Sequence, residues 1–180
     1  MAMKEPRIPP LRDDEMTPEQ EEVVGRQKMR GNIPNVFRTI GHHPGLAKRW
    51  LVFGTHILSK STLSARDREI AILRAGYLAG SEYEWAQHVI IAKDAGLNEE
   101  EIESIREGAS AECWGDEERL VLTTADELHN DVMISDATWQ GLTEYYSTQQ
   151  ILDLIFTCGQ YRMLAGALNS LGVPLDDDIR

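Results

Sequence analysis

Glu69–His88, EIAILRAGYLAGSEYEWAQH, is the stretch whose reading decides the fold. Ile70, Leu73, Tyr77 and Leu78 recur at the helical period, and Gly80 interrupts them. Trp85, His88, Val89 and Ala92 then resume the same spacing. Apolar residues at i, i+3, i+4 and i+7 mark the buried face of a helix. Two amphipathic helices joined at Gly80 follow from this pattern. If the chain turns back at Gly80, Glu69 on the first helix can meet Glu84 and His88 on the second. Ser64, with Asp67 three residues on, supplies a cap for the first helix. Gly96 ends the second.

The same signals organise the flanks. Thr17-Pro-Glu-Gln20 is a capping box with proline at the first helical position, which predicts a helix running toward Arg30 and stopping near Gly31 and Asn32. A short helical turn from Pro34 through Ile40 follows. From Pro44 a stronger helix is expected, with Leu46, Trp50, Phe53 and Ile57 on its buried face and His56 beside them. Beyond Gly96, Asn98 with Glu101 caps a short acidic helix, Asp116–Asn130 is amphipathic, and Ser135 or Asp136 opens a helix through Tyr145. Ser147 with Gln150 opens the most hydrophobic segment, ILDLIFTCGQYRMLAGALNSLG, which is apolar on most sides and predicts a central helix. No segment alternates as a strand does. The expectation is an all-α protein of about eight helices, with an extended arm over residues 1–16 and one domain over 17–180.

Composition narrows the functional classes. A chain of 180 residues can bury a core without disulfides or metals. The formal net charge of -12 and the absence of a Lys/Arg cluster argue against nucleic acid. A small anionic organic substrate stays open, because charges are screened over about 8 Å and one or two pocket arginines can outweigh the global field. Cys113 and Cys158 form no CxxC, and MAMKEPRIPP does not read as a signal peptide, so a cytoplasmic protein is expected. No apolar run reaches the ~18 residues of a membrane span.

Glu84 and His88 stand four apart, neighbours on one helix surface. Near Trp85 and an apolar face, burial raises a carboxyl pKa and a paired imidazolium lowers it, so the pair can sit where proton transfer is efficient. A lone E-x-x-x-H is nevertheless common on helices as a surface or structural pair. Glu69 shares a face with Leu73 and Gly76, and a buried glutamate there needs a partner such as Arg74 or His88. Arg162 reads as an ion-pair partner of Asp126 or Glu127, or as a clamp for a substrate carboxylate. His129 and Cys158 read as helix-packing residues. No metal-ligand spacing such as HExxH, no phosphate loop and no GxSxG elbow is present, so no metal or cofactor is expected.

Arg68-Glu69-Ile70, Tyr83-Glu84-Trp85-Ala86-Gln87-His88 and Ala92-Lys93-Asp94-Ala95-Gly96-Leu97 together resemble the carboxymuconolactone decarboxylase family of the AhpD-like superfamily. The segments Asn35–Trp50, Ala125–His129 and Leu168–Val173 resemble its longer members, so the likeness runs from about Pro34 to Pro174. It implies an AhpD-like orthogonal helical bundle and a homo-oligomer, with dimer, trimer and hexamer all open. The superfamily's peroxidase branch carries Glu-x11-Cys-x2-Cys-x3-His. Glu69 and His88 match its outer positions, but Ser81 and Glu84 stand where the cysteines would be. Without a thiolate there is no attack on a peroxide at that site and no disulfide to recycle.

The decarboxylase branch lacks the cysteines too. It implies a cofactor-independent lyase acting on a small carboxylated lactone or related ring-cleavage product of aromatic-compound catabolism. His88, Glu84 and Glu69 are then the catalytic candidates, with His88 acting on the substrate, Glu84 orienting His88 and Glu69 behind them. Tyr83, Trp85, Tyr161, Arg162 and His56 are the substrate-binding candidates. Two other readings remain open: an alkylhydroperoxidase-type oxidoreductase, and a non-catalytic oligomeric small-molecule binder.

Overall fold

The computed structural model describes residues 5–179; residues 1–4 of the expected arm, and Arg180, lie outside them. Among the described residues there are nine α-helices and no β-strand. None of these helices is long and apolar enough to cross a membrane. The chain divides into two compact units, one made of residues up to His56 and from Ala167 onward, the other of Ile57–Gly166.

The first unit holds α1 (Pro18–Val24), α2 (Asn35–Ile40) and α3 (Pro44–Thr55). The capping box that starts α1 is formed: Gln20 N donates to Thr17 Oγ1 at 3.3 Å, and Thr17 N donates to Gln20 Oε1 at 2.8 Å. The helix is shorter than the sequence suggests. Met29 and Asn32 pair across a tight reversal in which Arg30 and Gly31 both take positive φ, 48° and 87°. Two left-handed residues in succession make a hairpin turn; it takes only the last of the residues expected in the helix, which itself ends at Val24 in a turn at Gly25 and Arg26. No side chain of Pro34 can cap α2, so Asp176 reaches in from the C-terminal tail and accepts from Asn35 N at 2.7 Å. Arg38 holds the arm by donating to Leu11 O and to Asp13 Oδ1. On α3 the buried residue is Ala47, whereas Leu46 and Phe53 are exposed. Of the expected face, Ile57 is buried and Trp50 half-buried, so the helical period holds while the stripe lies one residue round from Leu46, through Ala47.

The second unit contains α4 (Ala65–Leu78), α5 (Glu82–Asp94), α6 (Glu99–Ser104), α7 (Asp116–Asn130), α8 (Asp136–Tyr145) and most of α9 (Thr148–Leu171). Its centre is α4, which packs along both α5 and α7 and whose residues Glu69–Gly76 are buried without interruption. Ile70 and Leu73 join Ala92, Val121, Leu122, Leu142 and Leu154 in one core. The expectation that α9 is the central helix is therefore corrected. One side of α9 is buried through Ile151, Leu154, Cys158 and Tyr161, but Leu152, Phe156 and Met163 are about half exposed. Hydrophobicity alone does not say which apolar face the chain itself covers.

The α4–α5 reversal is closed by a Gly80 with φ of 63° and by Ser81 N donating to Gly76 O at 2.9 Å. This six-to-one bond with a left-handed glycine just inside it satisfies the orphan carbonyls of α4. Behind α4, the buried Arg74 donates to Asp126 Oδ1 at 2.6 Å and to the carbonyls of Ile105 and Arg106 at 2.8 Å each. Gly108 has φ of 79°, and a Cβ there would lie 2.6 Å from Arg74 Nη2. Gly108→Ala meets both the backbone penalty and the clash, with an expected cost of about 2–3 kcal/mol. Urea denaturation checks this: the midpoint should fall at unchanged slope.

Candidate functional site

The second unit gathers Glu69, Glu84, His88 and Tyr161 in its interior. Glu69 sits on α4 and is fully buried, with both oxygens engaged. Arg68 Nε donates to Oε1 at 3.0 Å, and His88 Nδ1 lies 2.7 Å from Oε2. A carboxylate on Nδ1 places the ring proton there and leaves Nε2 as the working nitrogen. Among the described residues Nε2 has no hydrogen-bond partner in the protein. The Tyr161 ring meets the imidazole edge-on with centroids 4.8 Å apart.

Glu84 is arranged differently. Its backbone N donates to Ser81 Oγ at 3.4 Å, which caps α5, but both of its carboxyl oxygens are buried without a hydrogen-bond partner among the described residues. Gly76 creates the room for it: a Cβ at Gly76 would stand 3.3 Å from Glu84 Cβ and 3.4 Å from Oε2. Burial in this unpaired setting pushes the Glu84 carboxyl up to about 9, only weakly opposed by Ser81. Near pH 7 it is a neutral acid holding a proton. The Tyr161 phenol is raised well above its ordinary value by burial and by the nearby Glu69 and Glu84, so it too stays protonated.

The expected pairing within the cluster changes as a result. Glu84 and His88 share a face of α5, yet the carboxylate that orients His88 is Glu69. The long side chain of Glu84 leans toward the gap left by Gly76, while His88, one turn further along, reaches Glu69 across the helix interface. Arg74, the other partner considered for Glu69, is committed to Asp126. Arg68 holds Glu69 instead, a role not read from the sequence; its position next to Glu69 in the quoted run was the available signal.

The other candidates disperse. Tyr83 is buried, and its hydroxyl accepts from Gln87 Nε2 at 3.3 Å. Trp85 stacks with Tyr77 at 5.9 Å, and its face is covered by the Arg106 guanidinium at 4.0 Å, so it is engaged on the outer side of α5. Arg162 is exposed and donates to Leu128 O at 2.7 Å, rather than pairing with Asp126 or Glu127. Asp126 belongs to Arg74, and Glu127 accepts from Ser135 and Thr138. His56 is exposed and lies in the first unit. Among the described residues no group of His, Cys, Asp and Glu side chains is arranged to hold a metal ion.

Residues 44–127 match the sequence model of the Carboxymuconolactone decarboxylase family. No curated protein matches the chain. Among solved structures, the debrominase Bmp8 bound to 2,3,4-tribromopyrrole superposes with a TM-score of 0.81 at 18% identity, covering 98% of this chain and 95% of that one. An uncharacterized peroxidase-related protein from Silicibacter sp. TM1040 gives 0.80 at 16% identity over 99% and 93% of the two chains. An uncharacterized peroxidase-related protein with an AhpD core, from Ralstonia eutropha JMP134, gives 0.78 at 16% identity over 94% and 88%. At these identities the likeness is one of fold: an AhpD-like all-α architecture.

Proposed function

We propose, from a chain whose residues 44–127 match the model of the Carboxymuconolactone decarboxylase family, a cofactor-independent carboxy-lyase that acts by proton transfer on a small carboxylated, unsaturated lactone or a related ring-cleavage product. The observation that carries this reading is a buried carboxyl, Glu84, with no partner among the described residues, one helical turn before an imidazole whose Nδ1 is tied to Glu69. In such a substrate the bond to the carboxylate carbon breaks, and its electron pair moves into the conjugated carbonyl to give an enolate. Carbon dioxide leaves, and the carbon must then receive a proton. His88 Nε2 faces the substrate as an acceptor while Nδ1 keeps its proton toward Glu69. The Glu84 carboxyl gives its proton to Nε2, the ring passes it on to the carbon, and Glu84 takes a new proton from water as the product leaves. The low-polarity surroundings favour loss of the carboxylate charge over its retention.

His88→Ala removes the group that touches the substrate. Release of carbon dioxide from a carboxylated unsaturated lactone should fall by about 10²–10⁴, with the helical circular dichroism unchanged. Wild-type turnover in that variant overturns the assignment.

The alkylhydroperoxidase reading draws on the peroxidase-related fold relatives. Its chemistry needs a thiolate, and Cys158 is buried with its thiol pushed up to about 12 by burial. Dithiol-dependent peroxide consumption that is lost in Cys158→Ser would favour it. A non-catalytic binder would be marked by a sealed cluster with every polar atom paired and no cavity beside it; among the described residues the two unpaired oxygens of Glu84 argue against the pairing alone.

A further inference from the structure

A cavity of ≈ 220 Å³ lies within the second unit, and none of Glu69, Glu84 or His88 lines it. Leu128 of α7 and Ile155 of α9 supply apolar wall, together with the small side chains of Ala75 and Ala125. An engineered apolar cavity of about 150 Å³ takes up benzene, so this one accommodates a ring with one substituent. The polar groups at its wall are three: His129, Cys158 and Arg162.

Two of these lack the partner their chemistry calls for. His129 Nδ1 is buried and has no hydrogen-bond partner among the described residues. Such an atom costs on the order of 1–3 kcal/mol unless something satisfies it. Arg162 is held over the cavity by a single bond from Nη1 to Leu128 O, and the nearby carboxylates of Asp126 and Glu127 are taken by other residues. No carboxylate lines the cavity. The Cys158 thiol there stays neutral, because burial pushes it up to about 12. In a chain with formal net charge -12, a guanidinium with no anion beside an apolar chamber is a local exception to the global field.

We propose that this cavity is a second ligand site, for a small aromatic or branched aliphatic monocarboxylate whose carboxylate is taken by Arg162 and His129. The apolar body fills the chamber between α7 and α9. The Arg162 guanidinium, with the His129 ring beside it at the wall, then discriminates an acid from its neutral analogue.

Benzoate and benzamide, alike in shape and different in charge, are the probes, titrated into the full chain and followed by calorimetry and ligand-observed NMR. Benzoate should bind at least about tenfold more tightly than benzamide, the difference expected of a charge-assisted pair. Arg162→Gln should remove that preference while leaving benzamide binding within about twofold of wild type. Gly159 lines the cavity on a helix with no atom within 4 Å of a Cβ placed there. Gly159→Leu therefore keeps the helix, fills the mouth and should abolish binding of both probes. His88→Ala should bind benzoate as the wild type does, which separates this site from the lyase candidate. Three results would each overturn the proposal: equal affinity for the two probes, loss of binding in His88→Ala with retention in Arg162→Gln, or no saturable benzoate binding up to about 10 mM.

Discussion

Raising the pH from about 5 to 9 should destabilise the wild-type protein far more than Glu84→Gln. The Glu84 carboxyl has its folded pKa raised from 4.5 to about 9 by burial. The folded state therefore binds the proton more tightly than the unfolded state does between those values. Stability falls as pH rises wherever the folded state holds more protons. This contribution is fully present below about pH 4.5 and is lost progressively as pH climbs through the window toward 9. Each pKa unit corresponds to about 1.4 kcal/mol, so the whole window is on the order of 6 kcal/mol, a large share of an ordinary domain's stability. For a chain of this size, a loss of 1 kcal/mol lowers Tm by roughly 2–4 °C. Glutamine keeps the shape and polarity of the neutral acid without a titrating proton. Thermal unfolding across pH 5–9 should show the wild-type Tm falling by on the order of 10–20 °C relative to Glu84→Gln. Parallel curves for the two proteins would mean that Glu84 is solvated and ordinary. Under the proposed chemistry the same substitution removes a proton source, so the stabilised variant should turn over slowly at every pH.

That Glu84 stands alone was not legible from spacing, and the reason is geometric. An i, i+4 pair says that two side chains can meet, not that they do. Here Gly76 offers Glu84 a recess against α4, and Glu69 offers His88 a carboxylate across the interface, so Glu84 rests unpaired in its recess while His88 pairs with Glu69. The helix pair itself was readable because local signals agree: the apolar period, Gly80, and the Ser64 hydroxyl at the first helix start, to which the structure adds the Ser81 cap of the second. The bounds of α7 follow from its amphipathic pattern, and the start of α8 from the Ser135 cap. The hairpin turn at Arg30 and Gly31, beyond the end of α1 at Val24, is announced by no apolar pattern; Arg30 offers no sign of its positive φ. His129 and Cys158 illustrate a different gap. Their helical positions are those of packing residues, and only the three-dimensional arrangement shows that they border an open volume.

Glu69→Ala is expected to be among the most damaging single changes in the second unit. Glu69 is fully buried and serves two donors at once, Arg68 Nε and His88 Nδ1. Alanine would leave the little-exposed Arg68 guanidinium and the His88 ring without their acceptor. Removing one member of a buried charged cluster costs about 3–5 kcal/mol, because the remaining charge has neither water nor counter-ion. Glu69→Gln separates this structural cost from the positioning role. The amide preserves volume and keeps one acceptor oxygen, so its penalty should be smaller, about 1–3 kcal/mol. That oxygen can serve Arg68 or His88 but not both. If Arg68 keeps it, the amide presents N–H to the imidazole and turns Nδ1 into an acceptor, which moves the ring proton to Nε2. Nitrogen-15 NMR of the imidazole should show this tautomer change in Glu69→Gln. Turnover should then fall by roughly 10–100-fold, the usual effect of losing the group that orients a working histidine. A Glu69→Ala protein that unfolds within about 1 kcal/mol of wild type would show that the pair carries little of the fold. A Glu69→Gln protein with an unchanged tautomer and full turnover would remove Glu69 from the proton path, leaving His88 to be oriented by its ring contact with Tyr161 alone.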